Sequence, residues 1–185
     1  MPRSIPVPYY PYPIPTNLED IPRYLYEELQ RIQVALLAQP VAFAINDTEA
    51  FNVTTAVTWE RLFDDGVVVP VWSVPGGEFD NTTGTWTCPQ SGLYDISIHM
   101  EVSPFGAGNK VYYAGLRLNV VQDGVPDTVE STDGGDDSIP LGVTLTGLIA
   151  LLYGDTLSVD ATVVHDQFVG TSDINVGWQI MRMSG

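Results

Sequence analysis

The sequence predicts an all-β antiparallel sandwich preceded by an extended arm and one helix. Three observations carry this reading. From Pro40 onward apolar and polar residues alternate with a period of two, in runs broken by glycine-containing turns. Proline and glycine are distributed in opposite senses, with seven of the fourteen prolines in the first 22 residues and none of the seventeen glycines before Gly66. Between these regimes lies a single stretch, "NLEDIPRYLYEELQRIQVALLAQP", whose apolar residues recur at helical spacing. A chain of 185 residues holds one well-packed domain and some extra length, so one core with an appendage is expected.

The arm spans residues 1–17. In "RSIPVPYYPYPIPTN" each proline fixes φ and lacks an N–H, so residues 2–15 can form neither a helix nor a central strand and are expected to be extended, near polyproline II. A disordered leader, a ligand for a proline-reading domain and a strap laid on another protein all fit that conformation.

The helix is expected over 18–39. Asp20 is placed as its N-cap, Ile21 and Pro22 in its first turn, and Pro40 closes it. Ile21, Leu25, Leu29, Ile32 and Leu36 form one apolar stripe, and Glu27 and Glu28 precede Arg31 by four and three residues. The stripe packs either on its own domain or on symmetry mates or a larger body.

The sandwich is expected over 40–185. In "GLYDISIHMEV" Tyr94, Ile96, Ile98, Met100 and Val102 face one way and Asp95, Ser97, His99 and Glu101 the other. In "TLSVDATVV" Leu157, Val159, Ala161 and Val163 oppose Thr156, Ser158, Asp160 and Thr162, which predicts a wet outer face. "LGVTLTGLIALLYGD" turns apolar on both faces in its second half, which fits a strand with one face on the core and the other on a neighbouring subunit.

Charge narrows the partners. The net charge is −16, Lys110 is the only lysine, and ten carboxylates but no Lys or Arg lie between Arg117 and Arg182. Such a surface repels phosphate backbones and anionic lipid, so no nucleic acid and no membrane is expected as a partner. Cys88 is the only cysteine, so no intrachain disulfide forms. The start "MPRSIPVPYY" lacks the charged and apolar regions of a signal peptide, and assembly in a reducing cytoplasm is expected.

Catalytic chemistry finds little footing. His99, His165 and Cys88 make no spaced triad or zinc set, and no glycine-rich phosphate loop joins a strand to a helix, so no enzyme and no cofactor is expected. His99 falls on a wet face, and Cys88 beside Trp86 reads as a buried structural thiol on a strand. The one ion candidate is the loop "DGVPDTVESTDGGDDS", where Asp133, Asp136 and Asp137 offer oxygen ligands to calcium, without EF-hand spacing.

"FDNTTGTWTCPQSGLYDISIHMEV" resembles the central signature of the complement-C1q and tumour-necrosis-factor (TNF) superfamily, through Phe79, Asp80, Thr83, Gly84, Trp86, Pro89, Gly92 and Tyr94. "LIALLYGDTLSVDATV" is similar to its apolar strand followed by Gly-Asp, here Gly154 and Asp155, and "PVAFAIN" and "VGWQIMRM" suit its first and last strands. The resemblance implies a jelly roll of about ten strands forming a homotrimer, with Leu148, Ala150 and Leu152 around the threefold axis. With no signal peptide, no Gly-x-y stalk and no paired cysteines, the chain departs from the secreted members, which argues against an animal extracellular ligand.

"IPRYLYEELQRIQVAL" after the Pro/Tyr leader resembles the N-terminal attachment segments of short-tailed bacteriophage appendage proteins. That resemblance implies a virion protein assembled in a bacterial host cytoplasm. Its partners would be other virion proteins, a tail adaptor or portal region or the major capsid protein, with a host surface receptor as a further candidate. Pro8, Tyr9, Tyr10, Tyr12, Ile21, Leu25, Leu29 and Ile32 would dock it. The alternatives are a capsid decoration (cement) protein and a C1q-like ligand- or host-receptor-binding module.

Overall fold

The structure, a computed structural model, describes residues 15, 17–37, 41–74, 78–103, 111–136, 140–166 and 169–183, with the backbone alone at 18, 33–37, 72–74, 111 and 136. The described residues fall into two compact units, one within residues 1–40 and one from Val41 to Met183. Pro8, Tyr9, Tyr10 and Tyr12 lie outside the described residues.

In the first unit a 3-10 turn, Leu18–Asp20, leads into helix α1, Ile21–Leu37. The turn is capped upstream of the expected Asp20: Asn17 Oδ1 accepts the Glu19 N–H at 3.3 Å and Asn17 O the Asp20 N–H at 3.2 Å. Glu27 pairs back to Arg23 at 2.7 Å, while Arg31 pairs with Glu28 at 3.2 Å, so only one of the two expected acid partners of Arg31 is its ion pair.

The second unit holds the strands β1 (Ala42–Thr54), β2 (Glu60–Arg61), β3 (Trp72–Val74), β4 (Glu78–Asp80), β5 (Thr85–Thr87), β6 (Gly92–Val102), β7 (Val111–Gln122), β8 (Val125–Asp136), β9 (Leu141–Leu151), β10 (Thr156–His165) and β11 (Gly170–Met183). One layer runs β3–β1–β11–β6–β9 and the other β4–β5–β10–β7–β8, with β2 also on β10. The layers join where Val53 and Thr54 of β1 lie parallel to Val163 and Val164 of β10. All other pairings are antiparallel.

The alternation read from the sequence sets the inner faces. Tyr94, Ile96, Ile98, Met100 and Val102 of β6 and Leu157, Val159, Ala161 and Val163 of β10 are all buried in one core. Its centre is aromatic: Trp178 meets Phe43 edge-on at 5.4 Å between ring centroids and stacks on Phe63 at 6.3 Å, and Phe43 packs on Phe79 at 5.2 Å.

The outer face of β10 departs from the expected wet surface. Ser158 and Thr162 are buried, with β2 paired to the edge of β10 at Asp160 and Ala161 and the Trp59 ring meeting Thr162 above Gly115. Trp59 sits where Gly115 leaves no side chain, the Arg117 guanidinium stacks 4.0 Å over its ring, and Arg61 pairs with Asp160 at 2.6 Å. A period-two pattern cannot show that a distant loop covers its polar half.

Of the sequence signature, Phe79, Trp86 and Tyr94 belong to the core and its strands, while Asp80, Thr83, Gly84 and Asp155 are turn chemistry. The Asp80 carboxylate accepts hydrogen bonds from Thr82 and Thr83, which folds the turn from β4 to β5. Buried Asp155 closes the next corner, its Oδ2 accepting the Leu152 N–H at 2.7 Å and its Oδ1 the Asp123 N–H at 3.3 Å. Gly84 has φ +61°, and a Cβ built there would lie 2.3 Å from Leu62 O. Replacement Gly84→Ala is therefore expected to cost on the order of 2–4 kcal/mol of unfolding free energy in urea titration, through left-handed strain plus a backbone clash. An unchanged urea midpoint would show that the turn relaxes around a side chain.

Candidate functional site

The two histidines and the cysteine lie apart in different surroundings. His165 is buried, stacks on Tyr112 at 6.3 Å and lies 3.3 Å from Asp166, whereas His99 is exposed with Nδ1 3.2 Å from Thr144 Oγ1. Cys88 lies one residue past β5, fully buried, and its thiol donates to Gln90 O at 3.2 Å. Burial pushes its pKa up, the opposite of a nucleophile's need, and burial likewise raises that of Tyr94, whose hydroxyl also donates to Gln90 O.

The calcium candidate Asp133, Asp136 and Asp137 falls at the end of a strand and runs beyond the described residues. "VPDTVESTDGGD" is not a loop but β8, paired along its length with β7 from Gln122↔Val125 to Val111↔Asp136. Extended backbone spaces Asp127, Glu130 and Asp133 along the ribbon instead of converging them, and no group of three potential metal ligands occurs among the described residues. Of the candidate ligands, Asp133 is exposed, the Asp136 side chain is not described, and Asp137 lies outside the described residues.

Three surfaces remain. The first is the outer face of the β1–β11–β6–β9 layer. Leu148 is 60% exposed and Leu152 53%, with Ala150 exposed between them. Register sets Ala150 opposite Leu93, Leu148 opposite Asp95, Met181 opposite Asp95 and Met183 opposite Leu93, so exposed apolar side chains gather at one end of this face. Its other half is polar. Asn46, Ser97, His99, Asn175 and Gln179 surround Gly177 in a depression of about 240 Å³. A Cβ on Gly177 would approach Asn46 Oδ1 to 2.7 Å, so the depression depends on that glycine.

The second surface belongs to α1. Leu25, Tyr26 and Leu29 are exposed and Ile21 and Ile32 half-buried, and the Leu36 side chain of the expected stripe is not among the described ones.

The third surface escapes a reading based on composition. β1 turns Phe43, Ile45, Phe51 and Val53 inward, but the two inward positions between them carry Asp47 and Glu49. These carboxylates stand in a groove of about 630 Å³ with Glu60, Asp64 and Asp65. Glu49 Oε1 accepts the N–H of Phe63 at 3.0 Å, in a loop where Phe63 itself takes φ +61°. The signal was available in the interrupted apolar alternation of "AFAINDTEAFNV".

No protein-family model matches the sequence, and no curated protein matches it. Solved structures do match. The chain is similar to the globular domain of zebrafish complement 1qA protein at 16% identity, over 76% of this chain and 94% of that one, with a TM-score of 0.54. Murine APRIL matches at 11% identity over 77% and 99% with a TM-score of 0.51, and the Eiger TNF from S. frugiperda at 13% over 78% and 93% with a TM-score of 0.50. The likeness is one of fold: the strand unit is a C1q/TNF-like jelly roll.

Glu49 yields a pH prediction. Burial pushes its pKa up to about 7 from the ordinary carboxylate value, the charges of Asp47, Asp65 and Asp64 add to the rise, and the Phe63 N–H opposes it. A raised native pKa means that the folded state holds the proton more tightly. The resulting stability is full at low pH and is lost as pH rises through about 7. Because the side chain is partly solvated, the loss is set at on the order of 1 kcal/mol. Glu49→Gln keeps the acceptor for Phe63 and removes the titration, so the stability difference between variant and parent should grow in the variant's favour as pH rises toward 8. A difference constant with pH in urea titrations would contradict this.

Proposed function

We propose that the chain is a homotrimeric structural subunit of a bacteriophage virion, a fibre-like appendage of the tail or collar docked through its N-terminal arm and α1. The observation that carries the trimer is the exposed apolar end of the outer β9–β6–β11 face, with Leu148, Leu152, Leu93 and Met181, on a C1q/TNF-like sandwich. A chain of net charge −16 has ample polar surface to display, so leucines clustered at one end of this face fit burial by another copy. A face that meets a different face of the next copy closes a ring, and a trimer is such a ring.

Attachment rests on residues 1–39. The exposed Leu25, Tyr26 and Leu29 support docking of the helix in an apolar groove of another virion protein. The Pro/Tyr arm adds contact area at low ordering entropy, since proline restricts the free chain and tyrosine has few rotamers. A capsid decoration protein would use the same elements, and position on the particle separates the two roles. The chain is read as a non-enzyme: Cys88 is a buried thiol, and one of the two histidines is exposed while the other is buried. No described helix is long and apolar enough to cross a membrane.

A second reading, a ligand- or host-receptor-binding module, draws on the polar depression around Gly177, which presents amide, imidazole and hydroxyl groups together.

Two outcomes are expected. Leu148→Asp should dissociate the trimer, at a cost of about 2 kcal/mol or more for each subunit interface, and sedimentation should give the mass of a single folded chain. A mass unchanged from the parent would misplace the threefold face. Removal of residues 1–20 should leave a soluble trimer that no longer enters particles, and incorporation at normal copy number would sink the anchoring role.

A further inference from the structure

The groove beside Glu49 coincides with a gap in the sheet. β11 pairs with one edge of β1 from Ala42 to Val53, so every other partner of β1 must lie on its second edge. There β3 pairs with Ala42–Ala44 and β10 with Val53–Thr54. Between them, Ile45 to Asn52 pair with no strand on that side among the described residues. A paired segment at each end and an open edge between them make a slot for an extended chain, about 25 Å long at the rise of a β-strand.

We propose that this edge of β1 accepts an added strand from a partner protein, an extended peptide that alternates basic and aliphatic residues. The groove lies along that stretch of β1, lined from Asn46 to Phe51 on one side and by Asp64, Asp65 and Val67–Val69 on another. Its 630 Å³ falls within the range of small-ligand and peptide sites. Added strands bind through main-chain hydrogen bonds to the open edge and take their specificity from alternate side chains.

Charge selects the basic residues. Asp47, Glu49, Glu60, Asp64 and Asp65 face the groove, and the one cation lining it among the described residues, Arg61, is already committed to Asp160 at 2.6 Å and to Thr83 O at 3.1 Å. Glu49 is held partly desolvated among like charges, a state that a cation relieves. The aliphatic residues follow from the rim, where Val67 and Val69 are 76% and 72% exposed.

Two nearer occupants fit less well. A second copy offers no segment that alternates basic and aliphatic residues, since its seven Lys and Arg are scattered singly along the chain. The chain's own arm has proline at 2, 6, 8, 11, 13 and 15, and each lacks the N–H that a ladder needs.

The test is fluorescence anisotropy of the full chain with a labelled eight-residue peptide of alternating valine and lysine, at fixed salt and at pH 8, above the Glu49 pKa of about 7. The double variant Glu49→Gln, Asp64→Asn should bind it at least about tenfold more weakly than the parent. Asp127→Asn with Asp133→Asn removes the same charge from exposed positions on β8 and should change affinity less than about twofold, as expected for exposed surface charge. The same peptide methylated at every backbone nitrogen keeps the charge but has no N–H to donate on either edge, and it should lose the binding. Equal weakening in both double variants would reduce the effect to net charge and overturn the proposed groove. Undiminished binding of the N-methylated peptide, or no binding of the first peptide to the parent, would overturn strand addition. Glu49→Gln retains the acceptor for Phe63, so loss of fold does not stand in for loss of the site.

Discussion

Everything else in the strand unit rests on the contact between the two sheets around Trp178. Its indole fills the space between Phe43 on the same layer and Phe63 in the loop that follows β2, with Phe79 edge-on at 6.4 Å. Side chains of this size bury far more apolar surface than any turn or ion pair contributes, and truncating one costs about 3–5 kcal/mol. The constraint reaches the surfaces. Because β6, β9 and β11 must turn their inward residues to this core, the opposite residues are fixed on the outside, whatever their polarity. Leu148 is outward because Leu151 and Leu145 are inward.

That inversion separates what the sequence could reveal from what it could not. Strands with clean alternation, β6 above all, were legible residue by residue, and so was the double-sided apolar character of β9. The turn signature around Asp80 and Gly84 and the Gly154-Asp155 corner carried the fold because each residue does a local job that few others can do. Long-range covering was invisible. Nothing near Thr162 in the sequence announces that Trp59 will lie over Gly115, and nothing in "DGVPDTVESTDGGDDS" distinguishes a solvated loop from the edge strand that it forms on β7. Acidic, glycine-rich composition speaks for a loop, whereas pairing with a neighbouring strand decides the matter.

The candidate surfaces were legible to unequal degrees. The stripe on α1 and the outer leucines of β9 follow from periodicity alone. The groove at Glu49 needed the structure, since two carboxylates at inward positions look like noise until the unpaired edge beside them is seen. The surfaces also differ in what opposes their use. Apolar burial on β9 has to overcome the repulsion among chains of net charge −16, so assembly there should strengthen with added salt. An acidic groove works the other way, since salt screens its attraction for a basic partner.

The central claim is that the jelly roll itself assembles, leaving the N-terminal residues free to dock. Light-scattering mass of the full chain and of the chain beginning at Pro40 tests it most directly. Three copies in both cases is the predicted result. A trimer that falls apart without residues 1–39, or a single copy in both cases, would contradict it.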